Sequence, residues 1–138
     1  MIYDHRFRVR YAETDQMGIA HHANYLIWFE MARVEWCRAL GFPWSDIEAS
    51  GFAQAVHRTT LTYRRPARFD QLLTMRVAMI ETRGPRMRFG YRLHDAADLD
   101  HRADDADILS FGTIELVWVT HDGRPTRLPK DHPASARF

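Results

Sequence analysis

Residues Ala23–Leu40 have the sequence ANYLIWFEMARVEWCRAL, in which only four residues are charged. The large apolar side chains recur at the i, i+3, i+4, i+7 spacing that places residues on one face of a helix. The residues at this spacing are Tyr25, Trp28, Phe29, Ala32, Trp36, Ala39 and Leu40. Asn24 is a suitable N-cap, and Gly41 followed by Pro43 predicts the C-terminal end. Because more apolar residues lie outside this face, we expect the helix to be enclosed on most sides.

The segments around this helix alternate apolar and polar residues, the period of two that is typical of β-strands. They are His5–Tyr11, Val56–Arg64, Leu73–Met79, Met87–Leu93 and Ile108–Thr120. Gly112 is expected to mark a β-bulge, and Trp44–Ala49 a short turn or helix. Turn residues at 83–86 and 121–124 end consecutive strands. This order predicts an α+β fold, one curved antiparallel sheet wrapped around one helix, as a single domain spanning residues 1–138.

Composition excludes several classes of protein. The chain has 138 residues, of which 46% are hydrophobic and 27% charged, values of an ordinary globular domain. Its net charge of +1 gives no indication of a nucleic-acid partner. A single cysteine, Cys37, excludes an internal disulfide framework and is expected to be a core residue. Residues 1–10 mix charged and apolar side chains without the apolar region of a signal peptide, and no apolar run is long enough to span a membrane, so we expect a cytoplasmic protein without membrane insertion.

The loop before the helix concentrates the side chains that can do chemistry. It carries Tyr11, Glu13, Asp15, His21, His22, Asn24 and Tyr25. A helix N-terminus offers unpaired N–H groups to a carbonyl oxygen or an anion. A carboxylate beside such donors has the components of acyl transfer, namely a base or nucleophile and an oxyanion site.

Two other interpretations of this loop stay open on the residues alone. Asp15 could cap a turn while the histidines form local hydrogen bonds. Alternatively, Glu13, Asp15, His21 and His22 are potential metal ligands, although adjacent histidines usually point apart and no H-x3-H spacing is present. We therefore predict no metal site. The motifs of serine hydrolases, nucleoside triphosphatases and dinucleotide-binding proteins do not occur.

The segment Tyr11–Tyr25, YAETDQMGIAHHANY, resembles the signature of the hotdog-fold acyl-CoA thioesterases of the 4-hydroxybenzoyl-CoA thioesterase type. It is most similar to the bacterial branch associated with the Tol–Pal system. The similarity continues through the helix, through Tyr63–Asp70 and into Gly123–Pro129. It departs at His21, where this branch commonly has an aromatic residue, and at Asp95–Asp107, which is longer than the usual turn and holds six of the twelve aspartates. We expect that segment to be a solvated loop.

The resemblance implies hydrolysis of an acyl-CoA thioester by a homodimer or homotetramer whose active sites lie between two chains. Asp15 matches the catalytic aspartate, as nucleophile or general base. His22 matches the loop histidine whose backbone N–H polarises the thioester carbonyl, and Tyr11 a tyrosine with a supporting role. No metal or redox cofactor is implied, since coenzyme A is part of the substrate.

Candidate substrate-binding residues follow from the same resemblance. Arginines near the strand ends suit the phosphates of coenzyme A. The strongest candidates are Arg64, Arg65, Arg86 and Arg88. Tyr25 is a candidate wall of the acyl pocket, and His57 lies on a strand that is expected to line it.

Two alternative functions remain. A hotdog dehydratase would act on 3-hydroxyacyl thioesters, although the D-x4-H spacing common in those enzymes is absent after Asp15. A non-catalytic acyl-CoA-binding protein would bind the thioester without turnover.

Overall fold

The computed structural model describes residues 1–95, 107–130 and 132. Its helices and strands follow the predicted order. They are β1 (Ile2–Arg8), α1 (Asn24–Ala39), α2 (Trp44–Ala49), β2 (Phe52–Tyr63), β3 (Leu72–Arg83), β4 (Arg86–His94) and β5 (Ile108–Thr120). A single 3-10 turn, Tyr11–Glu13, lies between β1 and α1. Within the described ranges, no helix is long and apolar enough to cross a membrane.

The five strands form one antiparallel sheet in the order β1-β3-β4-β5-β2, so β1 and β2 are its edges. The curved sheet with one long helix confirms the predicted α+β architecture. The first strand is shifted toward the N-terminus relative to the prediction, because the chain leaves β1 after Arg8 and Tyr11 already belongs to the 3-10 turn. Val9 is buried all the same, which explains why the alternating pattern extends past the strand.

Helix α1 packs its aromatic face against the inner face of the sheet. Phe29 stacks on Tyr91 of β4 with ring centroids 4.2 Å apart, and Trp36 meets Phe89 edge to face at 5.2 Å. All four side chains are at most 2% exposed. Burying a large apolar side chain stabilises the fold by about 1.5–3 kcal/mol, so this aromatic layer is a main contributor to the core.

The opposite face of α1 is not enclosed, which corrects the prediction. Leu26, Ile27 and Met31 are 41%, 50% and 36% exposed. The sheet covers one side of the helix only, and the remaining apolar residues face outward from the single chain. The helix begins at Asn24 with Ala23 in the N-cap position, so Asn24 is not the cap. The predicted end is confirmed by Gly41, which adopts the left-handed conformation (φ +84°) that glycine tolerates best.

The prediction of a bulge at Gly112 is wrong. Gly112 pairs in regular register with Leu61 of β2 and Tyr91 of β4. The bulge in β2 lies between Val56 and Arg58 instead. A glycine is needed at position 112 because a Cβ there would lie 2.1 Å from the Thr60 carbonyl oxygen.

Two predictions concern parts of the chain outside the described residues. Most of the acidic segment Asp95–Asp107 lies there, although the Asp95 amide donates to the Asp107 carbonyl at 3.0 Å, so the two ends of the segment meet. The sequence also predicts a loose tail after Lys130, and these residues, apart from His132, likewise lie outside the described part of the chain.

Candidate active site

The loop between β1 and α1 is held by short-range backbone hydrogen bonds. Asp15 N–H donates to the Ile19 carbonyl at 2.9 Å, and Gly18 N–H donates to the Asp15 carbonyl at 3.0 Å. Gly18 has a φ of +72°, which a residue with a side chain rarely adopts. A bridge between Ile19 and Arg68 ties the loop to the segment that follows β2. The position of Asp15 is therefore set by a closed turn with glycine at its sharpest point.

The two oxygens of the Asp15 carboxylate differ in their contacts. Its Oδ1 accepts the Met17 N–H at 2.8 Å, the local turn that was one of the open interpretations. Its Oδ2 has no partner within the described part of the chain. Asp15 is partly exposed and lines a cleft of about 410 Å³. The other residues of the lining are Met17, Ile19, Ala20, His22, Tyr25, Tyr63, Arg64, Arg65 and Pro66.

The two histidines at the start of α1 differ in their contacts. The His21 ring accepts the Ala23 N–H through Nδ1 at 3.3 Å, a local hydrogen bond. His22 lines the cleft, and its carbonyl accepts a hydrogen bond from the Tyr63 hydroxyl at 3.0 Å. Within residues 1–95, 107–130 and 132, the His22 amide N–H has no hydrogen-bond partner. An unpaired N–H and a carboxylate with one free oxygen, lining the same cleft, are groups that acyl transfer can use.

Two tyrosines form the aromatic wall of the cleft. Tyr25 is 2% exposed, and its hydroxyl accepts the Ala67 N–H at 3.2 Å. Burial raises the pKa of Tyr25 above its ordinary value, so the hydroxyl stays neutral at physiological pH. Tyr63 meets the Tyr25 ring edge to face at 5.0 Å. Together they form an aromatic surface in the cleft that Asp15 also lines.

Arg64 and Arg65 are the predicted substrate-binding arginines that line the cleft. Both backbone N–H groups donate to the Leu109 carbonyl, at 2.8 Å and 3.0 Å, which anchors this corner to β5. The Arg64 guanidinium lies over the Phe111 ring, 5.0 Å from its centroid. The cleft therefore has a cationic rim at the end of β2.

The remaining predicted site residues do not line the Asp15 cleft of the same chain. Tyr11 is 78% exposed and packs edge to face on Phe69. His57 is exposed at the bulge of the edge strand β2. Arg86 and Arg88 line a separate groove of about 240 Å³, where Arg88 pairs with Glu81 at 2.7 Å.

The separation of these arginines follows from strand register. Arg86 pairs with Val117, whereas Arg64 and Arg65 bond to Leu109 of the same strand. At the usual rise of a strand, eight residues span on the order of 25 Å. Arg86 and Arg65 therefore mark opposite ends of the sheet.

Two residues with clear roles were missed or misjudged from the sequence. Tyr63 enters the prediction only as the first residue of the similar segment Tyr63–Asp70, and nothing local to it in the sequence indicates a contact with His22. Glu13 is grouped by sequence with the reactive loop residues and the potential metal ligands, yet it is 4% exposed and its carboxylate accepts three N–H hydrogen bonds. Its position two residues before Asp15 was the available signal. Within the described ranges, no three His, Cys, Asp or Glu side chains are grouped as metal ligands.

Cys37 is confirmed as a core residue, since it is fully buried in α1. Burial raises the pKa of its thiol to about 11. Because the thiolate is the reactive species, we expect an aromatic disulfide reagent at pH 8 to leave the native protein unmodified. The same reagent should titrate one thiol per chain in urea. Rapid stoichiometric reaction of the native protein would contradict this burial.

Comparisons with known proteins agree with the fold. The family model described as Thioesterase-like superfamily matches residues 9–134. The acyl-CoA thioesterase YbgC of Haemophilus influenzae is 36% identical over 130 residues, which are 93% of this chain and 89% of that protein. The acyl-CoA thioester hydrolase YbgC of Escherichia coli O157:H7 is 34% identical over 123 residues, 89% of this chain and 87% of that protein.

A solved structure of a thioesterase has a similar backbone fold. The DHNA-CoA thioesterase from Staphylococcus aureus superposes with a TM-score of 0.85 at 25% identity, covering 99% of this chain and 87% of that one. The family match extends over nearly the whole chain, and the relatives align over most of their own length. The chain therefore belongs to the thioesterase-like superfamily and is an enzyme with its hotdog fold.

Proposed function

We propose that the protein hydrolyses an acyl-CoA thioester to the free acid and coenzyme A. The observation that carries this proposal is that Asp15, with one free carboxylate oxygen, and His22, with an unpaired amide N–H, line the same cleft. The names of the YbgC relatives, both acyl-CoA thioester hydrolases, support the substrate class.

In this mechanism Asp15 starts the reaction. Its Oδ2 attacks the thioester carbonyl carbon, or it takes a proton from a water molecule that attacks instead. The carbonyl π bond opens, and the His22 N–H donates to the resulting oxyanion. The carbon–sulfur bond then breaks, and the coenzyme A thiolate leaves and takes up a proton. On the nucleophilic route, water hydrolyses the acyl–aspartyl anhydride and restores the carboxylate. Every group needed comes from the chain, water or substrate, so no metal or redox cofactor is part of the proposal.

The active form is proposed to be a homodimer or homotetramer, in the cytoplasm. Edge strand β2 is exposed from Ala55 to Thr60, and an open edge of this length is a template for pairing with another chain. If two β2 edges pair antiparallel about a two-fold axis, the Phe52 end of one lies beside the Tyr63 end of the other.

In such a dimer, predicted site residues that lie outside the cleft of their own chain would lie at the interface or near the cleft of the second copy. His57 would lie at the interface, and Arg86 and Arg88 would approach the cleft of the second copy, where phosphates of coenzyme A would need cations. A supporting role for Tyr11 stays a prediction. The exposed apolar face of α1, Leu26, Ile27 and Met31, is a second surface that an oligomer would cover.

The decisive experiment is a panel of aromatic, short branched and medium-chain acyl-CoA esters, assayed for release of free thiol. We expect catalytic turnover of at least one class. Hydration of an enoyl-CoA without thiol release would favour a dehydratase, and stoichiometric binding without turnover a binding protein. Either outcome would replace the proposed function.

A further inference from the structure

Glu13 is the point at which the catalytic loop is attached to α1. Its carboxylate Oε2 accepts the Arg10 N–H at 2.8 Å. Its Oε1 accepts the Arg10 guanidinium and the Trp28 indole N–H, both at 3.0 Å. A buried carboxylate is costly to desolvate, and charge-assisted hydrogen bonds such as these three offset that cost.

The backbone of Glu13 makes a second set of contacts to the site. Its carbonyl accepts the His21 N–H and the Asn24 side-chain N–H, both at 2.8 Å. Glu13 therefore accepts five hydrogen bonds through its side chain and its carbonyl. They reach the residue before His22, the first residue of α1, and Trp28 one turn further along the helix.

The residues that make these contacts lie close in sequence to Asp15 and His22. Asp15 follows Glu13 by two residues, and His21 immediately precedes His22. The separation between the carboxylate and the unpaired amide thus depends on Glu13 holding both segments to α1. Burial acts to raise the pKa of Glu13, but the hydrogen bonds outweigh it and hold the pKa below its ordinary value. The side chain is therefore an anion at neutral pH.

We propose that Glu13 is a positioning residue that sets the distance between the Asp15 carboxylate and the His22 amide, and so controls kcat rather than substrate binding. This inference rests on the proposed function. Glu13 does not line the cleft and touches no substrate in the proposed mechanism. Its effect on rate is indirect, because a displacement of the reacting groups by about 1 Å can lower a rate by roughly 10²-fold.

The test compares Glu13→Gln and Trp28→Phe with wild type. Glutamine has one acceptor oxygen and places an NH2 group against an N–H donor, whereas Trp28→Phe removes the indole donor alone. Trp36→Phe is the matched control, because Trp36 is equally buried and its indole N–H donates to the Met1 carbonyl at 2.9 Å, away from the cleft. Unfolding in urea reports the loss of stability in each variant.

We expect Glu13→Gln and Trp28→Phe to lower kcat roughly 10- to 100-fold with KM little changed. Trp36→Phe should lose comparable stability to Trp28→Phe and keep its kcat. Losses of Glu13→Gln and Trp28→Phe should add only in part in the double variant, because the hydrogen bond between the Trp28 indole and Glu13 is disturbed in both. If Glu13→Gln does not fold, the kcat values of Trp28→Phe and Trp36→Phe decide whether Glu13 has the positioning role.

Unchanged kcat in Trp28→Phe, or an equal loss in Trp36→Phe, would overturn the positioning role. Asp15→Asn is assayed alongside to separate this failure from that of the mechanism. A wild type that turns over, an inactive Asp15→Asn and a fully active Trp28→Phe would refute the role of Glu13 and leave the proposed function intact.

Discussion

Asp15→Asn is expected to lower kcat for acyl-CoA hydrolysis by at least about 10²-fold, the range that a positioned acid or base contributes. The amide is neither a useful nucleophile nor a base. The asparagine oxygen can still accept the Met17 N–H, so the turn that holds residue 15 should persist. The loss should therefore appear in the rate and not in the fold. Thiol release under saturating acyl-CoA measures it.

A matched control removes a carboxylate elsewhere. Asp46 lies exposed in α2, outside the cleft lining, so Asp46→Asn is expected to retain wild-type turnover. Circular dichroism and size-exclusion chromatography of both variants should match the wild type. An Asp15→Asn enzyme with near-normal kcat would remove Asp15 from the mechanism, whatever the protein then hydrolyses.

Gly112→Ala should have the largest effect on stability. The added Cβ would lie 2.1 Å from the Thr60 carbonyl oxygen and 3.1 Å from Cε2 of Phe29. The first neighbour is backbone of the adjacent strand and the second is a fully buried ring, so neither can move cheaply. We expect a loss of about 3 kcal/mol or more in the free energy of unfolding, or no soluble protein. Urea unfolding measures the change.

Gly90→Ala in β4 provides the comparison. Its Cβ would lie 3.4 Å and 3.5 Å from the methyl groups of Ile80, which is ordinary van der Waals contact. Replacing a strand glycine at such a site changes stability by about 1 kcal/mol or less, and in the stabilising direction. The prediction for Gly112 fails if Gly112→Ala unfolds at the same urea concentration as the wild type.

Local features of the sequence predicted most of the elements. The apolar residues of α1 recur at helical spacing, a short turn or helix is predicted over Trp44–Ala49, where α2 lies, and β5 is predicted over Ile108–Thr120. These predictions hold because burial on one face imposes a period on neighbouring residues, which a sequence displays directly. The boundaries of β1 were less accurate, since Val9 is buried beyond the strand and continues the alternation.

The candidate site was predicted in part. Asp15, His22, Tyr25, Arg64 and Arg65 meet in one cleft, and all of them belong to segments whose residue types or resemblance pointed there. The Tyr63 hydroxyl on the His22 carbonyl joins residues 41 positions apart, and the Trp28 indole reaches Glu13 across 15. Contacts of this kind depend on how the sheet curves over α1, which no local pattern records.

The sequence by itself determined the α+β class, the helix–strand order and the chemistry of the loop before α1, because each follows from the spacing and type of neighbouring residues. Only the tertiary structure decided which groups face one another. Strand register separates Arg86 from the Asp15 cleft. The close approach of β2 makes glycine necessary at position 112, and the packing of the loop on α1 buries the Glu13 side chain. Each is a property of pairing between segments distant along the chain, set by the burial of the whole core rather than by any one segment.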